Sequence, residues 1–430
     1  MNGTTAAAAP PTAAPSAGPA VSPEAVQALV DRAATFDLVS VPRGGGDAAI
    51  RGGGGIVGVR IDEAVHRHQV VTQAPDARHP LRARDRVGER LGTWNDVWML
   101  VPDDFVAAPD RTPPPTALDP NRRQRFVMLD SRCTLGSRGD GFRGFGAGHT
   151  LPSTDRGRPR LHAMAVGTIL EGYGRFAGLE QATWVSCGVL DPARGFTGQT
   201  LLRVMDPGGA IPSQRELSVL EETANPEPDV TYVVFRGQAV PSDPVRPRLG
   251  PGGQPTGLIV EQGIRLLDVD CAVGGASGVR ATTRVGPLVG HLTADIAFDP
   301  SAPGGSALDP IPFTYVAEFD FADAEGRRVG SFTADASEGR VFKTMVGGVG
   351  GIRFGSVGRI HGGSGVFAGI EGLMTDNSVV IFEPHVSASV YVLHLHDHDG
   401  RFRARLGGGC GCGGCGCGGC GCGGAREGRG

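Results

Sequence analysis

The chain has 430 residues, a formal net charge of -4, 40% hydrophobic and 20% charged residues. The apolar content supports a packed core, and the length suits two or three domains. Gly 70 and Pro 32 argue against a helical bundle, because both disfavour helix interiors, and the near-neutral balance argues against a dedicated nucleic-acid binder.

Residues 1–21 are rich in Ala and Pro, lack a basic n-region and hold no uninterrupted apolar run. They read as a disordered segment rather than a secretory signal. No stretch reaches the roughly 18 apolar residues of a membrane helix, so the expected location is the cytoplasm, with no membrane partner. A short helix is expected within 22–39: Ser22 suits the N-cap, Pro23 the first turn and Glu24 the positive helix end, and Val26, Leu29, Val30 and Ala33 recur at helical spacing. Beyond glycine runs at 44–46 and 52–55 the pattern is β-rich and punctuated by Gly, Pro and Asp. Residues 56–61, 125–129, 232–235, 258–260, 313–319 and 379–382 read as short strands of a sandwich or barrel. Residues 94–101 fit a helix by the spacing of Trp94 and Trp98, or a buried strand by their apolar run. Residues 110–120 read as a linker or long loop.

The most informative feature is an internal repeat. Residues 167–209 and 358–400 align without a gap at an offset of 191 residues. Gly172/Gly363, Gly174/Gly365, Phe176/Phe367, Gly178/Gly369, Glu180/Glu371, Leu202/Leu393 and Asp206/Asp397 stay in register. Such a period suits a whole domain. Each copy predicts a hairpin: a strand at 166–170 or 357–361 enters a glycine turn, and a second strand returns through an inward Phe176 or Phe367. The glycines permit positive φ and close backbone approach. Residues 389–396 alternate, which predicts one buried face with Tyr391, Leu393 and Leu395, and one wet face with Val392, His394 and His396. Asp399-Gly400 predicts a tight turn, with 401–406 as one more edge strand.

Residues 362–372, GGSGVFAGIEG, resemble the glycine-Phe-glycine hairpin of the allene oxide cyclase and dirigent barrels, and residues 171–181, EGYGRFAGLEQ, keep the pattern more loosely. Residues 140–152, DGFRGFGAGHTLP, look like an earlier strand pair of such barrels. The resemblance covers about 45 residues per copy. It implies two tandem copies of a small antiparallel β-barrel with an apolar cavity. Barrels of this type include isomerases, cyclases, dirigents and proteins without activity. No catalytic residue carries over, and Glu371 is not matched to a functional acid.

Residues 407–424 contain only glycine and cysteine, with Cys410, Cys412, Cys415, Cys417, Cys420 and Cys422 in three CGCGG units. Alternating C-x-C and C-x-x-C spacing lets thiolates converge on a soft ion such as Zn or Cu(I). A precursor for azole-forming modification and a neutral repeat expansion remain alternatives. His394, His396 and His398 alternate along one strand and its turn, so that two imidazoles, His394 and His396, could share a metal; the alternative is an exposed strand end. Cys133, Cys187 and Cys271 are isolated and read as small buried hydrophobes. Asp103-Asp104 and Asp268/Asp270 read as solvated turns or a strand edge. The glycine-rich residues 43–47 and 347–358 lack the features of a phosphate loop, so no nucleotide cofactor is expected.

The expectation is therefore an all-β protein of two tandem antiparallel barrel-like domains, at 40–225 and 226–406, with a short N-terminal helix, a disordered start and a flexible Gly/Cys tail at 407–430. The expected function is non-enzymatic binding of a small hydrophobic ligand or a soft metal. The alternatives are a cyclase or isomerase holding a hydrophobic substrate in a barrel cavity, and a modified-peptide precursor.

Overall fold

Ser22 accepts a hydrogen bond from the Ala25 N–H, and Pro23 opens helix α1 (Pro23–Asp31). Val26 and Val30 of α1 are buried against Val346, Val379, Ile381 and Val386. The helix is shorter than 22–39, because the next segment, ATFDLVSVP, is already a strand paired on both edges. The computed structural model of the chain describes residues 22–404, apart from 45–46, 103–115, 137–138, 156, 181, 214–215, 240–244, 275–277, 299–304, 307–309, 347 and 384–385. The Gly/Cys tail, Asp103-Asp104 and most of 110–120 lie outside the described residues.

Nine strands follow α1: β1 (Ala34–Pro42), β2 (Ala49–Gly52), β3 (Gly55–Gln73), β4 (Arg82–Val101), β5 (Gln124–Leu135), β6 (Asp140–Asp155), β7 (Arg158–Tyr173), β8 (Thr183–Asp191) and β9 (Gly195–Val204). Each of β3 to β8 pairs antiparallel with the next, and β1 pairs with both β9 and β3. Among the described residues this closes a ring of eight strands, with β2 a short addition to β3. The second half repeats the plan with β10 (Val230–Ala239), β11 (Arg246–Leu249), β12 (Pro255–Gly274), β13 (Gly278–Phe298), β14 (Ile311–Ala322), β15 (Arg328–Val346), β16 (Val349–Gly365), β17 (Gly372–Ile381) and β18 (Val386–His396). There β10 pairs with β18 and β12 to close the ring, and β11 is added to β12. The protein is all-β, with two antiparallel barrels in tandem. Among the described residues each of the eight strands of either ring pairs on both sides, while β2 and β11 pair on one side only.

Alternation explains the strands. In β14, Phe313, Tyr315, Ala317, Phe319 and Phe321 point inward while Thr314, Val316, Glu318 and Asp320 face outward. The strands are longer than the sequence segments suggested. Residues 94–101 belong to β4, with Trp94 and Trp98 inside the first barrel. Residues 140–152 form one strand, not a pair: Gly144, Gly146 and Gly148 leave room for Trp184, Met128 and Phe126, and the strand continues past them.

The repeated hairpin is present in both copies. Gly172 and Gly363 sit where any Cβ would overlap the carbonyl oxygen of Phe176 or Phe367. Both phenylalanines are fully buried but lie in the turn, not on a returning strand. The gapless alignment slips by one residue between β8 and β17: Trp184 faces Leu202 across the ladder, and Met374 faces Leu393. A one-residue slip reverses every side chain of a strand, so Trp184 matches Met374 rather than Thr375. A further repeat has no counterpart in residue identity. The ladder shifts at Val65 to His68 between β3 and β4, and at Ile264 to Leu267 between β12 and β13.

The barrels lie side by side and exchange pieces. Val70 and Val269, equivalent residues beyond those shifts, pair with each other. Val70, Leu81 and Ala83 join the core of the second barrel, and Cys271, Val279 and Ala281 join that of the first. Each barrel's exit chain then bridges the other's arm: Ser213 pairs with Ala281, and Arg403 with Ala83. Asp206 and Asp397 anchor these exits, accepting from the Ile211 and Phe402 N–H groups. Residues 401–404 thus supply a single bridge rather than an edge strand. Asp268 and Asp270 are likewise not solvated. Asp270 is buried and takes two hydrogen bonds of 2.7 Å from Arg67 of the other barrel, and Asp268 accepts from the Thr72 N–H at 2.9 Å.

Candidate functional site

Side chains fill both barrel interiors. In the first, Trp98 stacks on Phe126 with centroids 4.5 Å apart, and Trp94, Phe142, Phe176 and Trp184 crowd together. The cavity beside Trp98 and Phe126 holds about 10 Å³, roughly one water at most. In the second, Phe235, Phe319, Phe321, Phe332, Phe367 and Tyr391 form one stacked cluster. The apolar cavity that the barrel resemblance implied is occupied by these rings.

A larger cavity lies between the barrels. The outer faces of β7, β8 and β9 pack on β16 and β17, and at one end this seam opens, between β1, β7, β8 and β9 on one side and the end of β18 with the turn before β10 on the other, into a cleft of about 710 Å³. From the first barrel come Val41, Arg160, His162, Val189 and Thr197. From the second come Glu227, Asp229, His396 and His398. Alternation places His162 outward on β7 and His396 outward on β18, and their rings face each other at 6.3 Å. Burial, with His396 alongside, pushes His162 down to about 4, so it is a neutral donor and acceptor near pH 7.

Glu227 is held in a stiff turn, Asn225-Pro226-Glu227-Pro228-Asp229. Asn225 Oδ1 accepts from the Glu227 N–H at 2.8 Å, and the Glu227 carbonyl accepts from the Val230 N–H at 3.0 Å. The flanking prolines restrict the backbone further. The carboxylate accepts a hydrogen bond from the Tyr232 hydroxyl. Glu227 opens on the cleft and is only partly buried as a residue. Even so, the crowding of protein around its carboxyl raises it to about 7, with Tyr232 and Arg160 opposing.

Behind this turn the seam is polar and closed. Tyr232 is fully buried, with His68 edge-on at 4.9 Å and His394 at 5.0 Å. Burial pushes the phenol well above its ordinary value, which keeps it a donor. Burial also holds His394 at about 3, and its Nε2 has no hydrogen-bond partner among the described residues. His68 lies 3.2 Å from Asp37, and both are fully buried.

The three histidines read from the sequence thus divide. His396 and His398 line the cleft, whereas His394 is buried behind it. The face expected to be wet is covered: His394 packs on Tyr232, and the His396 ring faces His162 of the first barrel. Among the described residues no group of three or more His, Cys, Asp or Glu side chains is placed to hold a metal ion. Cys133, Cys187 and Cys271 are free and buried, and burial raises all three thiols. Glycines 350, 351, 355 and 358 belong to β16, not to a phosphate loop. Sequence reasoning missed His68, Arg160, His162, Glu227 and Tyr232. Only the Pro-Glu-Pro bracket around Glu227 offered a local signal. Among the described residues, no helix is long and apolar enough to cross a membrane. No family model, no curated protein and no solved structure matches this chain.

Proposed function

We propose that the protein binds a small molecule in the cleft between its barrels, which act as scaffolds. The single observation that carries this reading is a cleft of about 710 Å³ in which charged and polar side chains, among them Arg160, His162, Glu227 and His396, converge beside apolar ones. Ligand sites typically occupy roughly 300–1,000 Å³, and this cleft falls in that range while its lining is more polar than usual. Val41, Val189 and Val230 supply apolar surface, and the paired rings of His162 and His396 suit a flat ligand. The filled interiors favour the cleft over either barrel lumen as the site. Kinship with the allene oxide cyclase and dirigent barrels is part of the proposal, supported by the glycine-Phe-glycine turn and by ring closure.

The test is a thermal-shift screen of small aromatic and heteroaromatic fragments against the full chain and Val189→Trp, a substitution that fills the cleft from an outward position on β8. A ligand at about 100 times its Kd adds about 2.7 kcal/mol of stability. Hits that shift the wild type and not the variant support the reading. Hits that shift both equally count against it.

A second reading concerns the tail. The six-cysteine spacing supports soft-metal binding there, as Zn or Cu(I), independent of the cleft.

A further inference from the structure

Granting the cleft as the ligand site, we propose that Glu227 is a general acid–base group acting on a carbon acid bound there, with Tyr232 as its positioning residue. The substrate class is a small molecule whose C–H bond is acidified by a neighbouring carbonyl or imine.

Three observations converge on this carboxylate. It is reachable, because Glu227 lines the cleft and keeps part of its surface open. It is fixed, because both sides of its peptide are hydrogen-bonded, prolines flank it, and Arg403 donates to the Pro228 carbonyl. It is oriented, because one oxygen accepts from Tyr232, a phenol locked between two buried imidazoles. That leaves the second oxygen for a ligand.

The charge environment fits proton transfer. The groups facing Glu227 are Tyr232, Arg160, His68 and Cys187, and the cleft adds Asp191, Arg194, Asp229, His162, His396 and His398. Burial holds the carboxyl near the pH at which an acid–base group works best in both directions. In the step, the Glu227 carboxylate takes the proton from carbon. The C–H electron pair moves into the bond toward the carbonyl, whose oxygen gains the negative charge. Neutral His162 can donate a hydrogen bond to that oxygen. Return of the proton from the carboxylic acid to the product restores the carboxylate, so no oxidant or cofactor is consumed.

The probe is 5-nitro-1,2-benzisoxazole, whose ring opens when a base removes its C3 proton and the N–O bond breaks, leaving a coloured cyanophenolate. The full chain should open it with saturation kinetics and a rate that rises with pH through an inflection near 7. Glu227→Gln should lower kcat about 100-fold or more with KM nearly unchanged. Tyr232→Phe should keep most of the rate and move the inflection upward, since the phenol's hydrogen bond favours the charged carboxylate. Circular dichroism checks that each variant is folded. Val189→Trp separates the two claims. If saturation is lost in Val189→Trp while Glu227→Gln matches the wild type, the cleft stands and the role of Glu227 falls. A wild-type rate no greater than that of free acetate also overturns that role. If the probe saturates the wild type and Val189→Trp alike, the cleft reading falls instead.

Discussion

His68 Nδ1 lies 3.2 Å from Asp37 Oδ1 at the seam between the barrels, with both side chains fully buried. Gln199 donates to the same Asp37 oxygen at 2.7 Å. Burial opposes charging His68, but Asp37, with Asp85 and Glu227 adding to it, outweighs burial, and the imidazole is raised above its ordinary value.

The first prediction is a fall in stability on the alkaline side. The His68 pair contributes fully below the unfolded-state pKa of about 6.5 and is lost as pH rises through the higher folded-state value. Burial also raises Asp96 to about 8 and Asp376 to about 7, so the fold keeps protons there that the unfolded chain sheds above about 4. Each such group lowers stability by about 1.4 kcal/mol per pH unit while that difference lasts. Urea unfolding from pH 6 to 8.5 should show this decline, and Asp96→Asn should flatten part of it. A rise in wild-type stability over that range would refute the assignment. Below pH 6.5 the buried neutral His149, His162 and His394 act in the opposite sense, since the unfolded chain binds protons that they refuse until about 3 to 4.

Arg67 and Asp270 form a buried ion pair that joins the barrels. Removing one partner strands the other charge, at a cost of about 3–5 kcal/mol. Arg67→Met should therefore destabilise strongly, and the double variant Arg67→Met with Asp270→Leu should recover much of the loss. Equal midpoints for wild type and Arg67→Met in urea would sink the idea.

Gly172 and Gly178 flank the same turn yet should respond differently. A Cβ at Gly172 overlaps the Phe176 carbonyl, whereas Gly178 has open space and only a positive φ of 78°. Gly178→Ala should cost about 1–2 kcal/mol, and Gly172→Ala clearly more, because backbone must move. The same order should hold for Gly363→Ala and Gly369→Ala. Chemical denaturation of the four variants gives the comparison directly.

For the tail, reduced full-length protein and a version ending at residue 406 are titrated with Zn²⁺ and Cu(I). Thiolate-dependent uptake should be confined to the full chain. Cys133, Cys187 and Cys271 are buried, and equal uptake by the two forms would overturn the tail reading.

Local chemistry was legible wherever neighbours in sequence are neighbours in space. Ser22 and Pro23 marked the helix start, alternation marked the strands, and the Gly-Phe-Gly repeat marked the shared turn. The slip between Trp184 and Thr375 shows where this ended. Residue identity tracks common ancestry, but a strand's face is set by which residue it pairs with.

The cleft was illegible for a related reason. Arg160, Glu227 and His396 are far apart in the chain and meet only because two outer barrel faces pack together. Period-two alternation tells which side of a strand leaves its own barrel. It carries no information on whether that side meets water or a second barrel, so His394 looked wet and is buried. The amino-acid order alone determined two closed-sheet modules with polar outer positions. Only the tertiary fold decided which of those positions lose water together, and with that the raised pKa of Glu227 and the cleft between the barrels.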